Sequence, residues 1–407
     1  MSPRSLVNAW DTFFFSPQSP TPVALYRIFY GLLVVTTLGL LHGDWLTWYG
    51  VNAFMRIETM HKVEPGIRLN LFLVIPQNDT WVLVFFWVFL MFAVFLTVGF
   101  LSRFSSIAVF LCLLSIHQRN LFILHSGDTL LRATGFFLMF APAGAAISVD
   151  RLWRLRRGKE GLAIQPRSPW AQRMIQIQMS LAYLSTFLWK MRGSEWLNGT
   201  ALYYTTRLAE FQRFPMPALE NGVILRLATW SALFVEFAAG VLVWIRKLRY
   251  WVLLLGLCLH LFIEYSMNVP LFQWVIMATY VCFIDPADLS RAWAWVRRRL
   301  GGSVVEVLYD PSRDGAAGLA NVLRALDVFG RLNVTERKTN GASAPWVDLS
   351  EAQAHTRFTV RANGSVYEGF TSLLMISRLV PLLWPLAPLS FLSGRCRPSL
   401  KAAKATK

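Results

Sequence analysis

Charge is scarce in this chain. Of its 407 residues only 15% are Asp, Glu, Lys or Arg, where soluble domains carry about 25%, so an ordinary water-soluble globule is excluded. Acidic residues are scarcer still, 23 against 40 Lys and Arg, for a formal net charge of +17. The cations sit beside apolar spans and in the C-terminal third, a pattern that suits membrane orientation and anionic lipid headgroups; a nucleic-acid partner is not expected. Cysteine is nearly missing: Cys112, Cys258, Cys282 and Cys396 are scattered, three of them inside apolar runs. That excludes a disulfide framework and any zinc spacing, and no metal site is expected. Residues 1–20 lack the basic start, apolar middle and small-residue cleavage site of a signal peptide, so the first apolar span is expected to remain in the mature protein.

What is abundant is apolar surface, with 55% hydrophobic and 14% aromatic residues. Windows long enough, or nearly so, to cross a bilayer of roughly 30 Å occur near 22–41, 81–101, 105–126, 129–148, 174–190, 224–244, 250–267 and 269–285. About eight transmembrane helices follow. Several are short or polar, which implies that they shield one another in a bundle. Arg103, the run RLWRLRRGK at 151–159, RKLR at 246–249 and the arginines at 297–299 fall on alternate connections. By the positive-inside rule those connections and both termini face the cytoplasm, while segments 42–80 and 190–223 face outward.

Within this frame Arg119, Asp128, Arg132, Lys190, His260 and Glu264 come out in the outer half of the membrane, with Glu236 near its middle. The third span is broken by HQRN at 117–120, tolerable at depth only where it lines protein or water. Asp128 and Arg132 stand four apart and can pair, most simply as a structural ion pair. Gln176, Ser180, Tyr183 and Lys190 form a polar stripe on one face of the fifth span. His260 and Glu264 are again four apart, so Glu264 could hold a protonated imidazole or fix a neutral tautomer. Lys190 has two readings from its residues alone: a snorkelling anchor whose ammonium reaches water, or a lysine whose pKa is lowered by an apolar pocket and nearby Arg119 or Arg132, leaving a neutral amine able to take a proton.

Four stretches, PVALYRIFYGLL at 22–33, HQRNLFILHSGDTLLR at 117–132, KMRGSEWLNGTALYY at 190–204 and HLFIEYSMNVPLFQWVIMA at 260–278, resemble in order and content the HTTM membrane domain. Vitamin K-dependent gamma-carboxylases and many bacterial proteins share that domain. The resemblance spans roughly residues 15 to 300. It implies that Lys190, just ahead of Trp196, is the base that deprotonates a reduced quinone before oxygenation, and that His260 belongs to the same pocket. The lysine-to-tryptophan spacing is one residue longer here, and His117 and His125 both lie off the place of the carboxylase histidine near the third span. The large extracytoplasmic region of the carboxylases has no counterpart, so carboxylation of a propeptide-bearing substrate is not expected.

After the spans, SVVEVLYD, a loop, AGLANVLRALDVF and RLNVTE read as strand, helix and strand, and TRFTVRANGSVYEGF reads as a hairpin around Asn-Gly. With LVPLLWPLAPL at 379–389, this tail resembles the DCC family of thiol-disulfide oxidoreductases. The family's Asp-x-x-Cys-x-x-Cys motif starts here at Asp310, with Arg313 and Ala316 in place of the thiols, so disulfide exchange is excluded. Pro381, Pro385 and Pro388 with Arg378 make 371–393 an amphipathic surface piece rather than a ninth span.

The expected fold is therefore an all-α polytopic membrane bundle over residues 1–300 and a small α/β thioredoxin-like domain over 301–407, in a bacterial inner membrane. The expected function is lysine-base chemistry on a reduced quinone-like or other lipid-soluble substrate, the quinone serving as co-substrate. Lys190 and His260 are the catalytic candidates; Arg119, Asp128, Arg132, Tyr183, Trp196 and Glu264 are the substrate-binding ones, with the two arginines stabilising an oxyanion. Membrane lipids, a lipid-soluble small molecule and a protein partner for the tail are the expected partners. The rival is a non-catalytic binding, transport or immunity-type membrane protein whose buried charges fix helix packing.

Overall fold

The structure, a computed structural model, describes residues 2–63, 69–302, 304–336, 358–362, 365–386 and 400–401. It divides into two compact units, Met1–Val149 with Gln165–Pro286, and Asp150–Ile164 with the chain from Ala287 onward. The second unit thus begins earlier than the boundary expected near 300, and takes in the basic connection at 150–164.

The first unit is helical. Each apolar window is occupied by a helix: Thr21–Leu41, Asp79–Val98, Ser102–Arg119, Ser126–Leu138, Trp170–Lys190, Gly222–Gly240, Arg249–Ser266 and Phe272–Tyr280. Local chemistry sets their ends. Asn78 and Asn221 accept from the backbone N–H groups of Trp81 (3.0 Å) and Val223 (3.0 Å), as N-cap residues do. Gly99, at φ +73°, closes the Asp79–Val98 helix in the left-handed conformation open to glycine. Three helices, Thr21–Leu41, Asp79–Val98 and Gly222–Gly240, are long and apolar enough to cross a membrane by length and composition. The other five expected spans fall short on one count or the other. The window at 129–148 yields only the 13-residue Ser126–Leu138 helix, because a Pro- and Gly-containing stretch, APAGAA, follows.

That irregular stretch is held by a residue from the first span. Arg27 is fully buried and donates to the carbonyl oxygens of Ala143 (3.0 Å) and Ile147 (2.6 Å). Carbonyls outside a helix need such donors where water is absent. The core around it is largely aromatic: Phe85, Phe86 and Phe89 of Asp79–Val98 pack with Trp45, Tyr49 and Phe72, and the Trp45 indole N–H donates to the Val82 carbonyl at 3.1 Å. Gly31 lets the Thr21–Leu41 helix touch its neighbour, since a Cβ there would lie 2.9 Å from the Thr97 backbone.

The second unit carries a five-stranded sheet of order β2-β1-β3-β4-β5. Its strands are β1 Val305–Tyr309, β2 Leu332–Glu336, β3 Phe358–Ala362, β4 Ser365–Glu368 and β5 Leu400–Lys401. β1 and β2 are parallel, crossed over by the Ala316–Leu326 helix as the sequence pattern predicts, whereas β3 runs antiparallel to β1 and pairs with β4 as a hairpin. Register puts Val307 opposite both Val334 and Val360, so one face of the sheet packs on Ala316, Ala320 and Leu323. Gly318 presses on the basic connection: a Cβ there would lie 2.7 Å from the Arg156 carbonyl carbon. The tail's 371–393 stretch begins as the Gly369–Leu379 helix and a 3-10 turn, Pro381–Leu386. The Asn363-Gly364 turn, Pro388 and Cys396 lie outside the described residues.

Replacing Gly31 by Leu should force apart the Thr21–Leu41 and Asp79–Val98 helices and lower stability by about 1–3 kcal/mol. Thermal unfolding of the detergent-solubilised protein measures this, and an unchanged midpoint would show that these helices do not meet at Gly31.

Candidate functional site

The Trp170–Lys190 helix organises the polar interior. Its stripe faces protein along its length: Gln172 and Gln176 both donate to the Cys282 carbonyl (2.7 and 2.6 Å), and Ser180 accepts from the Trp244 indole N–H at 3.0 Å. Tyr183 and Lys190 continue the stripe into two linked polar groups.

The first group is an ion pair. Lys190 Nζ bonds Glu236 Oε1 of the Gly222–Gly240 helix. Its ammonium also lies 4.4 Å from the centroid of the Trp196 ring, in cation–π range. A tight turn at 191–193 leads into the short Ser194–Leu197 helix and folds Trp196 back over the lysine. Glu236 is 8% exposed, so the amine turns toward a buried carboxylate and is not a free surface anchor.

The second group is a hydrogen-bonded chain across three helices. Tyr183 Oη meets both Tyr280 Oη, at 2.5 Å, and His260 Nε2, while His260 Nδ1 meets Gln273 Oε1. A neutral imidazole protonated at Nδ1 satisfies every contact: Nδ1–H donates to Gln273, Nε2 accepts from Tyr183, and Tyr183 accepts from Tyr280. Gly256 makes room for this chain, because a Cβ there would be 3.0 Å from the Tyr280 ring. The groups are within electrostatic reach of one another, Lys190 with His260 and Glu236 with Tyr183.

Four expected site residues, Lys190, His260, Tyr183 and Trp196, are therefore brought together. Four are not. Glu264 stands one turn from His260 but bonds Arg213 at 3.0 Å, so the expected His260–Glu264 pairing gives way to an ion pair with the 190–223 segment and to Gln273 on the imidazole. Arg119 donates to the carbonyl oxygens of Met55 (2.5 Å) and Gly50 (3.4 Å) and so clamps the 42–63 segment. Asp128 accepts from the His125 backbone N–H at 3.0 Å in a capping box. The expected Asp128–Arg132 pair is not formed among the described residues, because the carboxylate is taken by its own helix N-terminus. Arg132 instead lies within electrostatic reach of His117.

Sequence reasoning overlooked Tyr280 and Gln273 and left Glu236 outside the site. Gln273 carried a signal, a carboxamide in an otherwise apolar window; Tyr280 carried none, since tyrosines are common at the ends of membrane helices.

A mostly helical chain with three apolar spans and charged side chains paired between helices is a membrane protein. The chain belongs to the HTTM domain family, whose family model matches residues 15–287. It is similar to the uncharacterized protein YitO of Bacillus subtilis, 21% identical over 246 residues, which is 58% of this chain and 77% of YitO. It is likewise similar to the sporulation-delaying protein SdpB of the same organism, 21% identical over 205 residues, which is 49% of this chain and 62% of SdpB. No solved structure matches it.

Removing Lys190 strands a buried carboxylate. Lys190→Met should therefore cost about 3 kcal/mol, the lower end for a broken buried pair because the lysine is partly exposed. The double variant Lys190→Met/Glu236→Gln should recover most of that loss in the same unfolding measurement. A single variant as stable as the wild type would return Lys190 to the role of a surface anchor.

Proposed function

We propose that the helical unit is an acid–base enzyme of the membrane, acting on a reduced quinone or another lipid-soluble acid at the Lys190–Glu236 pair. The observation that carries this reading is the pairing itself: an amine and a carboxylate from neighbouring helices, capped by Trp196 and adjoining the buried Tyr183–His260 chain. Such clustered ionisable groups are costly in a membrane and mark functional sites more often than packing alone.

The ion pair constrains the mechanism. A lysine bonded to a carboxylate is an ammonium and no base. To act as one, Lys190 first passes its proton to Glu236, giving a neutral amine beside a neutral acid. The amine then takes the phenolic proton of the hydroquinone, and the resulting ammonium stabilises the phenolate. Oxygenation balances as hydroquinone plus O2 giving quinone epoxide plus water, one oxygen atom entering the ring and the other leaving with the two hydroxyl protons. His260, Tyr183 and Tyr280 form the polar wall of the site.

The remaining five helices cross the membrane shielded by the three apolar ones, with both termini in the cytoplasm of a bacterial inner membrane. Support comes from the second unit. Residues 150–164 and the tail fold together, which requires an even number of crossings between them, and four of the eight expected spans lie in that interval, Trp170–Lys190, Gly222–Gly240, Arg249–Ser266 and Phe272–Tyr280. The tail itself we read as a thiol-less thioredoxin-like domain that binds a protein partner or stabilises the chain. Its β2-β1-β3-β4 order and parallel β1–β2 crossover support that reading. At the lost motif Asp310 accepts from the Ser312 hydroxyl at 2.6 Å and lies 3.8 Å from Arg313.

A second reading has its own observation. Lys190 is already neutralised by Glu236, and Arg27 and Arg119 are spent on backbone carbonyls, as in a scaffold whose charges only order helices.

Purified protein incubated with reduced naphthoquinones and oxygen should yield an epoxide 14 mass units above the hydroquinone, roughly, by mass spectrometry. Lys190→Met/Glu236→Gln, folded by the unfolding criterion above, should lower turnover by at least about a hundredfold. Failure of folded wild type across quinone types selects the scaffold reading.

A further inference from the structure

One cavity of the helical unit is used neither by the ion pair nor by the tyrosine–histidine chain. About 430 Å³ in volume, it is lined by Phe13 of the N-terminal Pro3–Phe15 helix, by Ile177, Ser180 and Leu184 of Trp170–Lys190, and by Gly240 and Trp244. This is within the size range of small-molecule sites. Its walls are fixed. Ser180 holds the Trp244 indole, and Gly240 brings its helix close enough that a Cβ would lie 3.2 Å from Leu184.

One rim of the cavity is cationic. The Phe13 and Trp244 rings stand 5.6 Å apart there. The Arg173 guanidinium lies 4.8 Å from the Phe13 centroid and donates to the Phe13 carbonyl (3.2 Å), Gln176 (3.0 Å) and Gln18 (3.3 Å), neutral acceptors that leave its charge in place, and Arg249 donates to the carbonyl of Val243, next to Trp244, at 3.2 Å. Arg173 and Arg249 are within electrostatic reach of each other, with Asp285 as the nearby carboxylate. That carboxylate is shared, for it already bonds Arg246 at 3.3 Å. With Arg173, Arg246 and Arg249 gathered about the one carboxylate of Asp285, net positive charge lies beside the apolar groove. Beside them Leu6, Val7 and Trp10 of the N-terminal helix expose an apolar face, as an interfacial helix does.

We propose that this cavity is a binding site for an anionic phospholipid of the leaflet that carries the N-terminus, its phosphate between Arg173 and Arg249 and one acyl chain along Trp244, Ser180 and Leu184. An apolar slot ending in paired cations matches that amphiphile: the chain is withdrawn from nothing polar, and the phosphate neutralises two like charges. A choline or ethanolamine headgroup would bring a third cation to the rim. The site therefore selects phosphatidylglycerol-type headgroups over zwitterionic ones. It does not depend on the chemistry assigned to Lys190.

The test is native mass spectrometry of the full chain released from micelles containing equal amounts of dioleoyl phosphatidylglycerol and dioleoyl phosphatidylcholine. The wild type should retain one phosphatidylglycerol at least tenfold in preference to phosphatidylcholine. Leu181→Trp, at a cavity-lining position that is 55% exposed, should block the slot and lose the retained lipid without disturbing the core. Arg249→Gln should keep a lipid but with the preference gone. Equal retention of the two lipids by the wild type, or phosphatidylglycerol still held by a folded Leu181→Trp variant, would overturn the assignment.

Discussion

Inside a bilayer a polar group has no water to turn to, so each must find its partner in the protein. The helical unit is built around that constraint. Arg27 closes the carbonyls of a broken stretch 116 residues away at Ala143, two glutamines of the Trp170–Lys190 helix converge on the Cys282 carbonyl, and Lys190 is joined to Glu236. Each bond ties segments far apart in sequence. Apolar packing supplies contact area but little directionality between helices in lipid; the polar pairs determine which helix lies beside which, and at what rotation.

The same constraint shapes the chemistry. A lysine at a helix end can be an anchor or a reagent, and Glu236 excludes the simple anchor by giving the ammonium a buried counter-charge. In the reaction proposed for this pair its effect is less direct: the pair holds a proton between two groups, so a base becomes available only after an internal transfer. The neighbouring Tyr280–Tyr183–His260–Gln273 chain runs in one donor direction with the imidazole neutral, which keeps a further charge out of the interior. Arg27 and Arg119 are spent on backbone carbonyls and Arg213 on Glu264, whereas Lys190 supplies the positive charge of this cluster.

The second unit follows different rules. Its strands are short, its core is set by period-two alternation about Val307, and its pairing is satisfied by backbone ladders. Folding together with the 150–164 connection makes the tail part of the membrane protein's own architecture. After β1 an Asp310 turn is closed by the Ser312 hydroxyl.

Helix existence was legible in the sequence because hydropathy is a local property; all eight windows hold helices, and β1, β2 and the β3–β4 hairpin stand where alternation placed them. Lys190, Trp196, Tyr183 and His260 were legible because ionisable or polar groups stand out against apolar runs. Their partners were not. Spacing of four residues permits Asp128 to meet Arg132, or His260 to meet Glu264, but does not compel it: a capping N–H at His125 and the guanidinium of Arg213 were better placed. Which partner wins depends on the rotation and tilt of separate helices and on backbone groups that open only where helices end. Those quantities exist only once the helices have packed, and so tertiary structure alone decided that Glu236, Gln273 and Tyr280 would complete the interior.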